Sequence, residues 1–423
     1  MKGVSRMDAV PPIHSAAVMH DVLQELALFS ASGPGVTRLL YGVEWAEAQK
    51  YLMRRMEALG FAVRCDRVGN VYGRVEGTRP GAPAVLTGSH VDTVRSGGVF
   101  DGAYGIAAGI AALDGLRRTF GPPVRPLEVV SFCEEEGSRF PLSYWGSGNV
   151  VGAFDIAEAP RHTDFAGVSL QDAMICAGYG QDDQTPARRN DIAAFVEAHI
   201  EQGVTLERMN LEIGVVTAIV GQKRFIVKVY GEANHAGTTP MSMRKDPCAG
   251  AAEMIVGLER MAAEAGDPLV ATVGRLELTP NTPNVIPGAV TFTIDVRHAD
   301  EAALTAFGER VTNLVRDVAA RRGLRAESSL WVDTLPAPMH PALFGSMERI
   351  CGELGLSHRL MVSGAGHDAQ MLQTICPSAM LFVPSRLGVS HSPDEYSSPE
   401  ALENGLKVLT AMLYELAYEE RLP

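Results

Sequence analysis

Apolar, β-branched runs that end in polar residues recur at 83-PAVLTGSH-90, 127-LEVVSFCEE-135, 194-AFVEAHIE-201 and 379-AMLFVPS-385. Continuous rather than alternating hydrophobicity suits a strand covered on both faces, so these four read as buried parallel strands. Helical spacing of apolar residues lies between and around them, over 45–60, 103–120, 341–355 and 399–420. Strand alternating with helix predicts an α/β/α layer architecture on a mainly parallel sheet.

The middle of the chain has another rhythm. Segment 214-GVVTAIVGQKRFIVKVYGEAN-234 alternates like a pair of sheet strands, and a helix over 247–264, strands over 269–277 and 290–297, and a helix over 301–322 follow. That β-α-β-β-α-β-like order predicts a ferredoxin-like α+β domain with one solvated sheet face. The pattern thus divides the chain into a discontinuous larger domain, 1–213 and 331–423, and an inserted small domain, 214–330.

Composition agrees with two cores. A chain of 423 residues exceeds the roughly 250–300 residues at which single cores stop growing. Hydrophobic content of 46% with 21% charged residues can fill them, and no apolar run approaches the roughly 20 residues needed to span a bilayer. The N-terminus carries Asp8, Pro11 and Pro12 where a signal peptide needs an uninterrupted apolar core, which predicts a cytoplasmic protein. Cysteines 65, 133, 176, 248, 351 and 376 form no C-x-x-C pair and read as reduced, mostly buried thiols. A formal net charge of −13 argues against nucleic acid or an anionic membrane as partner. An anionic small substrate would need its own local arginine.

The candidate chemistry sits where predicted strands give way to loops, the place where ligands converge in α/β sheets. His90 ends the first strand, Glu134, Glu135 and Glu136 the second, His199 the third, and His391 follows the fourth. The stretch 88-GSHVDTVRSGGVFDGAYGIAAG-109 adds Asp92 and Asp101 in a glycine-rich loop. Three adjacent glutamates at the end of an apolar strand are costly to bury unless a cation compensates them. Mixed His/Asp/Glu donors suit zinc, manganese or cobalt better than an all-oxygen calcium cage. A shared carboxylate would let two such ions sit close together and activate water for hydrolysis. A lone histidine at a strand end is usually just solvated, and His14, His20, His162, His298, His340 and His358 are read that way. The glycines of 146-GSGNVVG-152 miss the spacing of a phosphate loop, and no G-x-S-x-G nucleophile elbow is present.

The segments GSHVDTV, GGVFDGAYG, EEEGSRF, EAHIEQG, NHAGTTPMSMRKD, NVIPG, SGAGHDAQ and GVSHSP follow one another along nearly the whole chain. In that order they resemble the dinuclear-metal amidohydrolases of the peptidase M20 type, in the branch that holds N-carbamoyl-L-amino acid hydrolases, β-ureidopropionases and allantoate amidohydrolases. The resemblance implies two divalent ions per subunit, manganese or zinc, with cobalt as a substitute. It makes His90 and His199 ligands of the first ion, Asp101 the bridge, and Glu136 and His391 ligands of the second. Asp92 would orient the His90 ring. Glu135 would be the general base, anchored on 135-EEGSRF-140, with Glu134 an outer carboxylate. A strand's period of two sends Glu135 to the opposite face from its neighbours, so the backbone must turn there.

The same resemblance makes the larger domain the metal-binding catalytic one and the small domain a lid through which a homodimer forms. His235 would then reach the partner chain's site, or serve its own after closure, and stabilise the developing oxyanion. Asn284 would also bind substrate, and Arg297 would hold its carboxylate bidentately, although by position alone Arg297 reads as a surface charge. Gly366 and His367 would line another wall through backbone and ring donors. Gln222, in 219-IVGQKRF-225, is polar where carbamoyl amino acid hydrolases tend to be apolar, which favours the allantoate members. A non-catalytic descendant of the fold would have lost the base or a ligand, and none is lost.

Overall fold

The computed structural model describes residues 13–423, with side chains from Ser15 onward; the stretch with Asp8 and its prolines, and the His14 side chain, lie outside the described residues. The chain divides into two compact units, Met1–Thr217 with Met339–Pro423, and Ala218–Pro338.

The central sheet of the larger unit runs in the order Ala62–Cys65, Val71–Val75, Leu127–Phe132, Ala84–His90, Ile192–Ile200, Ser378–Val383 and Ile213–Ile219. Its middle is parallel: Ala84–His90 pairs with Leu127–Phe132 on one side and Ile192–Ile200 on the other, and the latter with Ser378–Val383. Three of these four strands are buried at every residue, which is why their sequences read as unbroken apolar runs. Antiparallel strands flank them. Helix Ala103–Phe120 is buried from Ala103 to Leu116. Its small residues allow that approach, since a Cβ on Gly105 would lie 2.6 Å from the Ala198 carbonyl oxygen. Helix Pro399–Ala417 is capped by Ser398, whose hydroxyl accepts from Ala401 N–H at 3.1 Å, and beyond its first turn buries all but the stripe through Glu403, Lys407, Ala411 and Tyr414.

The smaller unit is an antiparallel sheet in the order Arg325–Thr334, Gly221–Tyr230, Ala289–His298, Val270–Thr279, with helices Pro247–Ala265 and Glu301–Arg321. Alternate residues Phe225, Val227 and Val229, and Val290, Phe292, Ile294 and Val296, meet Met254, Leu258, Phe307, Val311 and Val315 of the helices. The opposite sheet face carries no helix core, so strand residues alternate buried and accessible, as period two requires. The unit ends eight residues beyond the position expected from the pattern because Arg325–Thr334, RAESSLWVDT, is a mostly exposed edge strand without the apolar signal of a buried one. Its register places Arg297 opposite Gln222 and Asp295 opposite Arg224.

All six cysteines are free thiols. Cys133, Cys351 and Cys376 are buried, Cys65 and Cys248 partly so, and Cys176 is exposed, so five of the six are at least partly buried. Cys176 ends the short helix Leu170–Cys176, which buries Leu170, Ala173 and Met174 instead. Among the described residues no helix is long and apolar enough to cross a membrane.

Candidate metal centre

Three neighbouring parallel strands deliver their ends to one edge of the sheet. His90 is the last residue of its strand, His199 the last but one of Ile192–Ile200, and Glu134–Glu136 follow Phe132 after Cys133. The strand stops at Phe132 and the next residues bend, so the glutamates are freed from period-two alternation. Asp101 lies just before helix Ala103–Phe120, joined through Gly102 at φ 65°. A Cβ on Gly102 would sit 2.4 Å from the His90 carbonyl oxygen, so only glycine lets the loop close this tightly over the strand end. His391 comes from the loop after Ser378–Val383 and itself adopts a positive φ of 54°.

Asp101 is the centre of the cluster. Its Oδ1 lies 3.5 Å from His90 Nε2 and 3.2 Å from His199 Nε2, and its Oδ2 lies 3.3 Å from His391 Nε2. His391 Nε2 is also 3.5 Å from Glu136 Oε2. Three overlapping groups have ligand atoms within 4.8 Å of one another: His90, Asp101 and His199; His90, Glu135 and Glu136; and Asp101, Glu136 and His391.

The donor chemistry fits cations. His90 Nδ1 is 3.0 Å from the Asp92 carbonyl oxygen and His199 Nδ1 is 3.0 Å from that of Ile200. A carbonyl only accepts, so each Nδ1 carries a proton and each Nε2 faces Asp101, with a lone pair in the neutral ring and a proton in the charged one. Gly102 N–H donating to His199 Nε2 at 3.2 Å agrees with that tautomer. Lone pairs turned toward a buried carboxylate require positive charge between them. Glu136 Oε1, buried without a hydrogen-bond partner, asks for the same thing.

The cluster's own charges displace its titrations. Burial works against charge on Asp101, but hydrogen bonding from His199, His391 and His90 outweighs it and holds this carboxyl well below the usual range. Burial first, and the Asp101 carboxylate second, push Glu136 up to about 7. Burial also raises Glu135 well above the carboxylate range; Glu136, Asp368 and Asp92 add to this and His90 opposes it. His391 is drawn up to about 9, chiefly by its hydrogen bond to Asp101. Divalent cations would take the place of these protons.

Asp92 does more than face the His90 ring, from which its Oδ1 is 3.4 Å away. Its two carboxylate oxygens accept the backbone N–H groups of Glu135 and Glu136, each at 3.1 Å. One side chain thereby ties the first strand's histidine to the second strand's glutamates. Glu134 turns back to accept from Gly137 N–H and is fully buried. A further layer escaped the sequence reading: Gln202 Nε2 donates to Asp101 Oδ2 at 2.9 Å, and Glu395 accepts from the N–H groups of Phe100 and Asp101 at 3.0 and 3.1 Å. The signal was present, since Gln202 lies within EAHIEQG and Glu395 four residues after His391.

His367 packs edge-on against His199, with ring centroids 4.6 Å apart. Its Nε2 is engaged by Ser363 Oγ at 3.0 Å, so the ring offers Nδ1 alone. Burial, and then His199, hold it well below its ordinary pKa and hence neutral. Gly366 leaves room for Tyr144, whose hydroxyl oxygen would lie 1.7 Å from any Cβ there.

The remaining candidates belong to the smaller unit. His235 is exposed, pairs across a two-residue ribbon with Val285, and accepts Gly237 N–H on Nδ1 at 3.0 Å, which leaves Nε2 as the donor of its neutral ring. Asn284 is exposed beside it and holds Ala236 N–H through its backbone oxygen at 3.0 Å. Gln222 and Arg297 are half-buried neighbours, both bound to Asp295, a residue the sequence reading passed over.

A parallel α/β sheet whose strand ends gather imidazoles and carboxylates around one shared aspartate defines a divalent-metal protein as a class. The chain belongs to Peptidase family M20/M25/M40, whose profile matches residues 86–415. It is 48% identical over 399 residues to an allantoate amidohydrolase of Bacillus subtilis (strain 168), covering 94% of this chain and 97% of that protein. It is 38% identical over 396 residues to an N-carbamoyl-L-amino-acid amidohydrolase of Paenarthrobacter aurescens, covering 93% and 96%. Among solved structures, an amidase of the hydantoinase/carbamoylase family from Burkholderia multivorans superposes with a TM-score of 0.90 at 35% identity, over 94% of this chain and 97% of its own.

Proposed function

We propose that the protein hydrolyses allantoate, with water, to ureidoglycine, ammonia and carbon dioxide, in the cytoplasm. The observation that carries this is whole-chain identity of 48% to an allantoate amidohydrolase against 38% to an N-carbamoyl-L-amino-acid amidohydrolase. The half-buried amide of Gln222 favours the same choice, because a second ureido group needs a polar partner that a variable apolar side chain does not. N-carbamoyl-L-amino acid hydrolysis, the same chemistry on a substrate with one ureido group, is the second reading.

Two divalent ions, manganese or zinc, would be held by His90, Asp101 and His199 and by Asp101, Glu136 and His391, with Asp101 shared. When bound they would supply Lewis acidity to the ureido carbonyl and make water more acidic. Glu135 takes the proton of the attacking water and returns it to the departing nitrogen, as a general base and then a general acid. Asp92 holds the Glu135 and Glu136 amides and so keeps base and ligand in register. His235 donates through Nε2 to the charge developing on the former carbonyl oxygen. Arg297 holds the substrate carboxylate as a planar fork, with Asn284, Gly366 and His367 contributing further contacts. The smaller unit acts as lid and homodimer contact, with His235 serving the partner chain. Ammonia release from manganese-loaded protein offered allantoate, N-carbamoyl amino acids, 3-ureidopropionate and dipeptides side by side tests the proposal. Allantoate should give the highest kcat/KM; preference for a carbamoyl amino acid would replace it with the second reading.

A further inference from the structure

Asp295 is a half-buried carboxylate on the strand Ala289–His298, and it gathers three side chains. Gln222 Nε2 donates to its Oδ2 at 2.7 Å and Arg224 Nε to the same oxygen at 2.9 Å. Arg297 approaches side-on, with Nε 3.1 Å from Oδ1 and Nη2 3.2 Å from Oδ2. The antiparallel register explains the convergence: Asp295 stands opposite Arg224 and Arg297 opposite Gln222, so side chains two apart on one strand face their counterparts on the next.

This arrangement has chemical direction. An ionised carboxylate only accepts, so Gln222 must point its NH₂ at Asp295, and the amide cannot be flipped without setting oxygen against oxygen. With its NH₂ committed to Asp295, the Gln222 amide is left with Oε1 as its acceptor end. Two guanidiniums against one carboxylate leave the trio with a net positive charge. That excess suits an incoming carboxylate, while the side-on grip fixes the plane of the Arg297 fork. Burial works against the charge on Asp295, but Arg297 and Arg224 prevail and keep its pKa lowered, so the acceptor is ionised at neutral pH.

We propose that Asp295 is the positioning residue of substrate recognition: it fixes Gln222 as a hydrogen-bond acceptor and Arg297 as an oriented fork, so that the pair reads a carboxylate with an N–H donor beside it. The inference rests on the assignment of Gln222 and Arg297 to substrate binding above. It deepens that assignment by giving the ligand pattern a sign: a ureido N–H is accepted, and an analogue that offers only an acceptor at that point is refused. Asp295 itself touches no substrate.

The test is steady-state kinetics of the manganese-loaded protein on allantoate and on an N-carbamoyl amino acid with an apolar side chain. The chains compared are wild type, Asp295→Asn, Asp295→Glu, Gln222→Leu and the double variant Gln222→Leu/Asp295→Asn. Asparagine can donate as well as accept, so the Gln222 amide loses its enforced orientation. Asp295→Asn should raise KM for both substrates by about tenfold or more, the scale of one charge-assisted hydrogen bond, with kcat changed far less. It should also lower the allantoate-to-carbamoyl ratio of kcat/KM, which Asp295→Glu should largely restore. With Gln222→Leu already present, Asp295→Asn should leave that ratio where Gln222→Leu put it. If Asp295→Asn lowers the melting temperature, Asp295→Ser serves with the same expectations. A folded Asp295→Asn chain with wild-type KM values and ratio would overturn the proposal. Should the wild type prefer the carbamoyl amino acid, the substrate assignment falls, and Asp295 is still judged by the KM change on that substrate.

Discussion

Gly102→Ala places a methyl group at the tightest point of the metal loop. Gly102 has φ 65° and ψ −48°, and a Cβ there would meet the His90 carbonyl oxygen at 2.4 Å and His90 Cε1 at 2.5 Å. The positive φ costs a Cβ-bearing residue about 1–2 kcal/mol, and overpacking adds about 1–3 kcal/mol. His90 yields poorly, because its backbone ends a fully buried strand and its ring is held through Nδ1. The total of about 2–5 kcal/mol must appear either as lost stability or as lost metal affinity, where 1.4 kcal/mol is about a factor of ten. Urea unfolding with chelator present, paired with a manganese-binding titration, measures both. Gly81→Ala is the control, since Gly81 shares a positive φ of 69° but a Cβ there meets nothing within 4 Å; it should show only the conformational cost of about 1–2 kcal/mol. Wild-type unfolding free energy together with wild-type manganese affinity in Gly102→Ala would refute the close-packing argument.

Glu135→Gln should keep its metal and lose turnover by about a hundredfold or more, whereas Glu136→Gln should lose metal as well; metal contents the other way round would mean the base and ligand are exchanged. His235→Ala and Glu135→Ala chains, unfolded and refolded together, should recover about a quarter of wild-type activity, because random pairing makes half the dimers mixed with one working site of two. No recovery in verified mixed dimers would mean that His235 acts within its own chain.

The parallel strands were legible because burial on both faces leaves an unbroken apolar run, as in Ala84–His90 and Ser378–Val383. Ala62–Cys65 and Val71–Val75 were not: AVRC and VYGRV are short and interrupted by Arg or Gly, and only pairing across the sheet defines them. The bend after Phe132 was inferred from the need for adjacent glutamates to share a site, and the strand does stop there. Asp92 was visible as a neighbour of His90, but its grip on the amides of Glu135 and Glu136 depends on two strands lying in parallel register. Asp295 was hidden for the same reason. In an alternating strand an aspartate reads as part of the wet face, and its three partners come together only through the register of Ala289–His298 on Gly221–Tyr230. Glu395 reaches the Asp101 amide across 294 residues of sequence.

Metal dependence of allantoate hydrolysis tests the central claim most directly. Ammonia release should vanish when the protein is stripped with chelator and verified metal-free by elemental analysis, and should return on adding manganese, cobalt or zinc. Full activity on allantoate in the verified metal-free protein would contradict the account.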